Sequence, residues 1–110
     1  MDYIPNINSL AARIEENIKG GADYAKLEKA VGYSHHHIRS FFKRAANISL
    51  SRYIFVRKIA NAAFEIRHTG KSITEISEEY GFSNIDTFAR AFRRAVGITP
   101  SQFKKSDYLY

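Results

Sequence analysis

Gly81-Phe82-Ser83-Asn84-Ile85-Asp86-Thr87-Phe88-Ala89-Arg90-Ala91-Phe92-Arg93-Arg94 is the stretch on which the fold turns. The glycine closes one short amphipathic segment and supplies the left-handed backbone that a tight turn needs. Ser83 or Asn84 is placed to accept hydrogen bonds from the free N–H groups opening the next segment. In that segment Phe88, Ala91, Phe92 and Ala95 recur at i, i+3, i+4 and i+7, which makes one side of a helix apolar. Asp86, Ala89, Arg90 and Arg93 repeat the spacing on the opposite side. A turn followed by a short helix with an apolar back and a basic front is the second half of a helix-turn-helix, shaped to enter a major groove.

The same stretch occurs earlier in the chain. Gly32, Tyr33 and Ser34 match Gly81, Phe82 and Ser83 at an offset of 49, and Ile38, Phe42, Lys43, Arg44 and Ala45 match Phe88, Phe92, Arg93, Arg94 and Ala95 at an offset of 50. The match continues through Ile48-Ser49 with Ile98-Thr99, Ser51 with Ser101, and Tyr53 with Phe103. An internal repeat of this period means two copies of one supersecondary unit. In the first copy Ile38, Phe41, Phe42 and Ala45 form the back, and His36, Arg39, Ser40 and Lys43 the front.

The remaining bounds agree with such a molecule. At 110 residues the chain is one compact unit with enough length for a core, and 45% apolar content argues against disorder. With no cysteine, neither a disulfide framework nor a cysteine zinc site is available. No apolar run approaches the ~18 residues of a membrane span, and Met1 opens no signal-peptide pattern. A soluble cytoplasmic protein is expected. The net charge of +6 is unevenly placed: residues 33–68 hold seven basic residues against one acidic. Alone this reads equally well as a solvated basic face; with the repeat it points to a polyanionic partner.

Taken in order, every segment reads as helix or connector. Residues 7–19 carry Ile7, Leu10, Ala11, Ile14 and Ile18 on one face, with Asn6 or Asn8 as cap and Gly20-Gly21 as stop. Asp23 caps a short helix that turns Tyr24, Leu27 and Val31 inward and ends at Gly32. The first front-bearing helix runs from Ser34 to about Ala46. Ser49 caps a long helix to about Arg67, burying Tyr53, Ile54, Ile59, Ala63 and Ile66, and Thr69-Gly70 closes it. Ser72 caps the next, with Glu75 completing a capping box and Ile73, Ile76 and Tyr80 facing inward. The second front-bearing helix reaches Val96 and stops at Gly97. Thr99-Pro100 opens a last short helix with proline at its first position. Period-two alternation never lasts, so no strand is expected. The fold class is all-α. Two helix-turn-helix units, about 7–48 and 69–106, are joined by a linker helix at about 49–68. That helix, ~19 residues rising ~1.5 Å each, is a rod of ~28 Å. Successive major-groove segments on one face of B-DNA lie ~34 Å apart, so the rod has the length to hold two readers on one site.

These residues resemble the DNA-binding domain of the AraC/XylS family of bacterial transcription regulators. The resemblance is carried by Gly32-Tyr33-Ser34, Phe42-Lys43-Arg44, Tyr53 with Arg57, and Ile73-Thr74-Glu75-Ile76-Ser77. It continues through Tyr80-Gly81-Phe82-Ser83, Phe88, Arg90, Phe92-Arg93-Arg94, Gly97-Ile98-Thr99-Pro100 and Phe103, and it covers about residues 7–105. It implies a seven-helix, homeodomain-like domain that binds asymmetric promoter sites in duplex DNA and usually activates transcription. It also implies that the third and sixth helices read bases. Carried onto this chain, the base-facing residues are His36, Arg39 and Ser40 in the first reader and Ile85, Asp86, Ala89 and Arg90 in the second. His35, Lys43, Arg44, Arg93 and Arg94 are the phosphate-facing residues. RNA polymerase is a further expected partner, with no cofactor and no membrane contact; because the rod lets one copy hold two readers on one site, the DNA-binding unit is expected to be monomeric.

Two departures from the family pattern carry expectations of their own. Glu28 stands four residues before Gly32, where the family favours a small residue, so the first motif is expected to pack more loosely than the second, which has Ser77 there. The second reader's Ile85, Asp86 and Ala89 are poor donors, so base-specific contacts are expected mainly in the first motif.

Other clusters weigh less. His35, His36 and His37 diverge by ~100° per residue on a helix and so do not converge on one metal ion; His36 is expected at a base or phosphate, and His37 in packing or against backbone. Glu75, Glu78 and Glu79 form an ordinary solvated face, and no catalytic constellation is present, so the chain is not expected to be an enzyme. Two other function classes compete: a non-specific nucleic-acid or RNA-binding helical module, and a protein- or membrane-surface helical domain. The sequence begins with Met1 and a full first helix but ends at Asp107-Tyr108-Leu109-Tyr110, so a sensor domain beyond Tyr110 is expected in the whole protein; a genomic stop codon after Tyr110 would exclude it.

Overall fold

The computed structural model describes residues 7–19 and 24–106. Among them lie α1 (Ile7–Glu16), α2 (Tyr24–Val31), α3 (His35–Ala46), α4 (Leu50–His68), α5 (Ile73–Glu79), α6 (Ile85–Val96) and α7 (Pro100–Lys105), with no strand. None of these helices is long and apolar enough to cross a membrane.

Local side-chain chemistry sets most of the boundaries. The hydroxyls of Ser34 and Ser49 accept from the amides of His37 (3.2 Å) and Arg52 (3.1 Å). Asn84, rather than Ser83, caps α6, accepting from Thr87 N at 2.8 Å. Ser72 with Glu75, and Thr99 with Gln102, form reciprocal capping boxes, and Pro100 sits in the first turn of α7. Each such cap is worth about 1 kcal/mol. Gly32 and Gly81 hold φ of 80° and 81° at the two matching turns. The first turn passes from Gly32 to its cap in two residues and the second, from Gly81, in three, which is where the repeat offset grows from 49 to 50. The two reading helices also end alike, in left-handed residues Asn47 (φ 61°) and Gly97 (φ 104°).

Three expectations change. The first helix ends at Glu16; beyond it Asn17 N and Ile18 N bond three residues back, to Ile14 O (3.0 Å) and Glu15 O (3.3 Å), tightening the last turn. Ile18 is nonetheless buried. Asn8 lies inside α1 and does not cap it; Asn6, Gly20-Gly21 and Asp23 lie outside the described residues. Finally, Ala45 and Ala95 are exposed, and the apolar backs of α3 and α6 are completed by the half-buried Ala46 and the buried Val96. Each of these stands four residues after its motif's central phenylalanine, Phe42 or Phe92, directly above it on the helix.

The core is continuous, and α4 is its axis, packing against α3, α5, α6 and α7. Leu50 and Ile54 are buried toward its start, and Ile59, Ala62, Ala63 and Ile66 toward its end. Five residues separate Ile54 from Ile59, which turns the buried stripe by ~140° about the axis. One helix thereby serves two groups of helices that lie on different sides of it. Phe42 meets Tyr53 in the first group (5.0 Å between ring centroids), and Phe82, Phe88, Phe92 and Phe103 form a chain of ring contacts at 5.1–5.8 Å in the second.

Polar contacts tie α1 to this axis. Glu15 accepts from Arg57 (3.0 and 3.4 Å) and Asn61 (2.6 Å). Lys19, just past α1, lies 3.3 Å from Glu65 and 3.6 Å from Glu79, and Lys71 bonds both carboxylates. The molecule measures 49 × 23 × 21 Å.

Candidate nucleic-acid interface

The front of α3 follows from which side its apolar residues take. With Ile38 and Phe42 buried, His36, Arg39, Ser40 and Lys43 are turned outward, and all four are exposed. With Ser49, Leu50 and Ser51 at the start of α4 they line a cleft of about 420 Å³. The front of α6 is set by Phe88, Phe92 and Val96 in the same way. Asp86, Arg90 and Arg93 are exposed, Ala89 is half-buried, and Ile85 at the helix start is 40% exposed. Thr87, Arg90, Ala91 and Arg94 line a smaller cleft of about 280 Å³. Ser49, Ser51 and Thr87 border these fronts although the sequence reading assigned them no place at the interface. The only signals for them were the cap at Ser49 and the hydroxyl one turn before Arg90.

Charge pairing leaves the cations of both fronts without carboxylate partners. The ion pairs among the described residues are Arg13–Glu16, Lys19 and Lys71 with Glu65 and Glu79, Arg57–Glu15, and His35–Glu28. Lys43, Arg44, Arg90, Arg93 and Arg94 are exposed and belong to none of these. The acidic side chains are thus largely engaged by cations of the scaffold, while the cations of α3 and α6 are left to attract an anion from solution.

The three histidines divide as their helical angles require. His37 stacks on Tyr33 (4.8 Å, 16°). His36 is exposed on the front. His35 turns sideways: its backbone N–H donates to Glu28 at 2.7 Å, and its ring Nδ1 lies 2.9 Å from the same oxygen. These bonds, the backbone one foremost, hold the Glu28 carboxyl below the usual glutamate range. Among the described residues no cluster of histidine and carboxylate side chains is arranged to hold a metal ion.

Glu28 also bridges the first motif, whose α2–α3 crossing leaves a cleft lined by Ala25, Glu28, Lys29, Gly32, Tyr33 and Ser34. Its side chain stays at the surface of the α2–α3 crossing and closes on the first amide of α3, where a negative charge also complements the helix dipole. Ser77, at the matching site of the second motif, is 1% exposed and donates its hydroxyl to Thr74 O at 2.8 Å. One crossing is bridged by a carboxylate and the other is closed by a small side chain. Beside the first bridge, Tyr24 of α2 faces α3: the Arg39 guanidinium lies 5.2 Å from its ring centre, and Arg39 Nη2 donates to its hydroxyl at 3.5 Å. Lys58 of α4 lies 5.8 Å from the Phe82 ring centre, and its partial burial lowers its ammonium pKa.

Comparison with known proteins agrees with this geometry. A helix-turn-helix domain family matches residues 27–106. Regulatory protein SoxS of Escherichia coli (strain K12) is 33% identical over 104 residues, spanning 94% of this chain and 97% of that protein. The HTH-type transcriptional activator AarP of Providencia stuartii is 29% identical over 104 residues, 94% of this chain and 77% of AarP. In fold, the chain is similar to a solved transcriptional regulator of the AraC-type DNA-binding domain class from Chromobacterium violaceum, with a TM-score of 0.77 at 24% identity, covering 89% of this chain and 88% of that one.

Proposed function

We infer the mode of action from the premise that this chain belongs to the AraC/XylS family of bacterial transcription regulators, which bind double-stranded DNA sequence-specifically. This is a family of DNA-binding regulators and not a class of enzymes. We propose that α3 and α6 enter successive major-groove segments on one face of a single duplex. In this reading residues of about 7–48 and 69–106 are the two reading units, and α4 spaces them. Its ~28 Å is close to the ~34 Å groove repeat, and a molecule 49 Å long has the reach for both grooves.

His36, Arg39 and Ser40 of α3, and Ile85, Asp86, Ala89 and Arg90 of α6, face base edges. Arginine suits guanine, to which it donates two hydrogen bonds. Lys43, Arg44, Arg93 and Arg94 face phosphates; His35, turned toward Glu28 in the free protein, joins them only by giving up that contact. The observation that carries the reading is that the exposed faces of both reading helices, opposite their buried apolar backs, carry cations with no carboxylate partner among the described residues. The unit binds as a monomer and acts in the cytoplasm, on the nucleoid. It activates transcription by presenting RNA polymerase with a DNA-bound surface, in keeping with the activator to which it is similar.

Selection of bound duplexes from a random pool should return one preferred asymmetric site at physiological salt. On that site Arg39→Ala should cost about 1–3 kcal/mol and relax base choice at a single position. Equal weakening on every sequence would make Arg39 a phosphate contact. Comparable affinity for unrelated duplexes or for single strands would overturn the function itself.

A further inference from the structure

The Tyr24–Arg39 contact has no counterpart in the second motif. At the repeat offsets Tyr24 corresponds to Ile73 and Arg39 to Ala89. The Tyr24 ring is half-buried and packs against the core, so it is a fixed surface at the edge of the reading helix. Arg39 is exposed, yet its guanidinium lies 5.2 Å from that ring centre and uses one donor on the hydroxyl. His35, one turn before Arg39 on the same side of α3, also meets the ring (5.9 Å, 46°) and is itself held by Glu28. Tyr24 and Glu28 stand four apart on α2, and His35 and Arg39 four apart on α3, so two side chains of one helix brace two of the other.

We propose that Tyr24 is a positioning residue for base recognition: it holds the Arg39 guanidinium so that its remaining donors are presented to a guanine edge in the groove entered by α3. This rests on the reading of α3 as a base-reading helix. An exposed arginine loses much rotamer freedom when it docks on a base, and an aromatic shelf that restricts it beforehand removes part of that loss. The planar guanidinium suits the ring face, and stacking leaves its in-plane N–H groups free to bond outward. Among the described residues nothing comparable braces Arg90, so base choice is set more sharply in the first groove than in the second.

The test uses the whole chain. In the free protein, heteronuclear relaxation of the arginine Nε–H groups should show Arg39 more restricted than Arg44 or Arg90, and Tyr24→Leu should release it. On the selected duplex, Tyr24→Leu should reduce discrimination at the base pair read by Arg39 by about 3–10-fold. The salt dependence of binding should stay unchanged, and Tyr24→Phe, which keeps the ring, should retain most of the discrimination. In an Arg39→Ala background Tyr24→Leu should have no further effect on that ratio. Additive losses, or an Arg39 Nε–H as mobile as that of Arg44 in the unaltered protein, overturn the proposal whether or not the leucine variant folds. If Arg39→Ala leaves every base preference intact, base reading by Arg39 fails and the proposal falls with it. If Arg39→Ala relaxes one base pair and Tyr24→Leu does not, only the role of Tyr24 is wrong.

Discussion

Replacing Glu65 with alanine should cost about 2–3 kcal/mol of folding stability, although Glu65 touches neither reading helix. Its side chain is 13% exposed and lies where α4, α5 and the end of α1 meet. It takes a hydrogen bond from Lys71 Nζ at 3.1 Å, lies 3.3 Å from Lys19 Nζ, and accepts the hydroxyl of Tyr80. The three partners contribute unequally. Lys19 is 53% exposed, and a pair with so solvated a partner is worth about 0.5 kcal/mol at most. Lys71 keeps Glu79 at 2.9 Å when Glu65 is removed. Tyr80 is only 2% exposed, and its hydroxyl loses its acceptor where water scarcely reaches, so this bond to a charged group dominates at about 1.5–3 kcal/mol. Glu65→Gln keeps an acceptor oxygen without the charge and should cost about 1 kcal/mol.

The pH dependence gives an independent check. Burial works to raise the Glu65 pKa, but hydrogen bonds from Tyr80, Lys71 and Lys19 outweigh it and leave the carboxyl below its ordinary 4.5. A carboxyl with a depressed folded-state pKa contributes its full stability above the unfolded value and loses it as pH falls through the folded one. Urea denaturation followed by far-UV circular dichroism should therefore show the gap between the protein and Glu65→Gln fully open near neutrality and closing only below 4.5. An alanine variant within about 0.5 kcal/mol of the parent, or a glutamine gap that does not change on acidification, would refute the assignment of this stability to the charged acceptor of Tyr80.

Further outcomes follow from the contrast between the two copies. Asn47→Gly should stabilise the fold by about 0.5–1 kcal/mol, since asparagine there holds the left-handed conformation that Gly97 takes in the second copy; a loss of stability in urea melts would mean that the Asn47 side chain makes a contact of its own. Ser77→Glu, which installs the first motif's residue in the second, should cost at least about 3 kcal/mol because the carboxylate enters a site with 1% exposure; a near-neutral melt would show that the α5–α6 crossing opens as the α2–α3 crossing does. Lys43→Gln and Arg93→Gln should each flatten the log–log salt dependence of DNA binding by about one unit without altering base preference, and an unchanged slope would remove that residue from the phosphate contacts.

How far the sequence could be read depended on the range of each interaction. Helix starts at Ser34, Ser49, Ser72 and Thr99 were legible because a cap joins residues three apart. The repeat likewise located both left-handed glycine turns. The end of α1 was not legible, since its last turn tightens through backbone bonds that no side chain signals. Ala45 and Ala95 were misplaced because i+7 from the first apolar residue lies at the margin of a narrow stripe, and the larger Val96 wins the seat above Phe92. The exposed cations could be named from spacing. The contacts that restrain them could not: Tyr24–Arg39 and Glu28–His35 join different helices 15 and 7 residues apart, and the Lys19, Glu65, Lys71 and Glu79 cluster draws on two helices and two connecting segments.

The duplication fixes the backbone of the two readers far more tightly than their chemistry, and that difference has a consequence for how one site is read. Both copies share the glycine turn, the cap, the apolar back and the left-handed exit, so both helices are presented alike. Once the frame is supplied, the α2–α3 crossing tolerates a bridge built from Tyr24, Glu28, His35 and Arg39, whereas the α5–α6 crossing closes over Ser77 and leaves Ala89 half-buried where Arg39 stands in the first copy. A front with a braced arginine, a serine and a histidine can distinguish base pairs by hydrogen bonding. A front with isoleucine, aspartate and alanine around Arg90, backed by Arg93 and Arg94, is better suited to methyl contact and charge. If both helices enter one duplex as proposed, the first groove sets the sequence and the second the grip. Such a division needs an asymmetric site, and the rigid α4 rod decides which of its two halves each front meets.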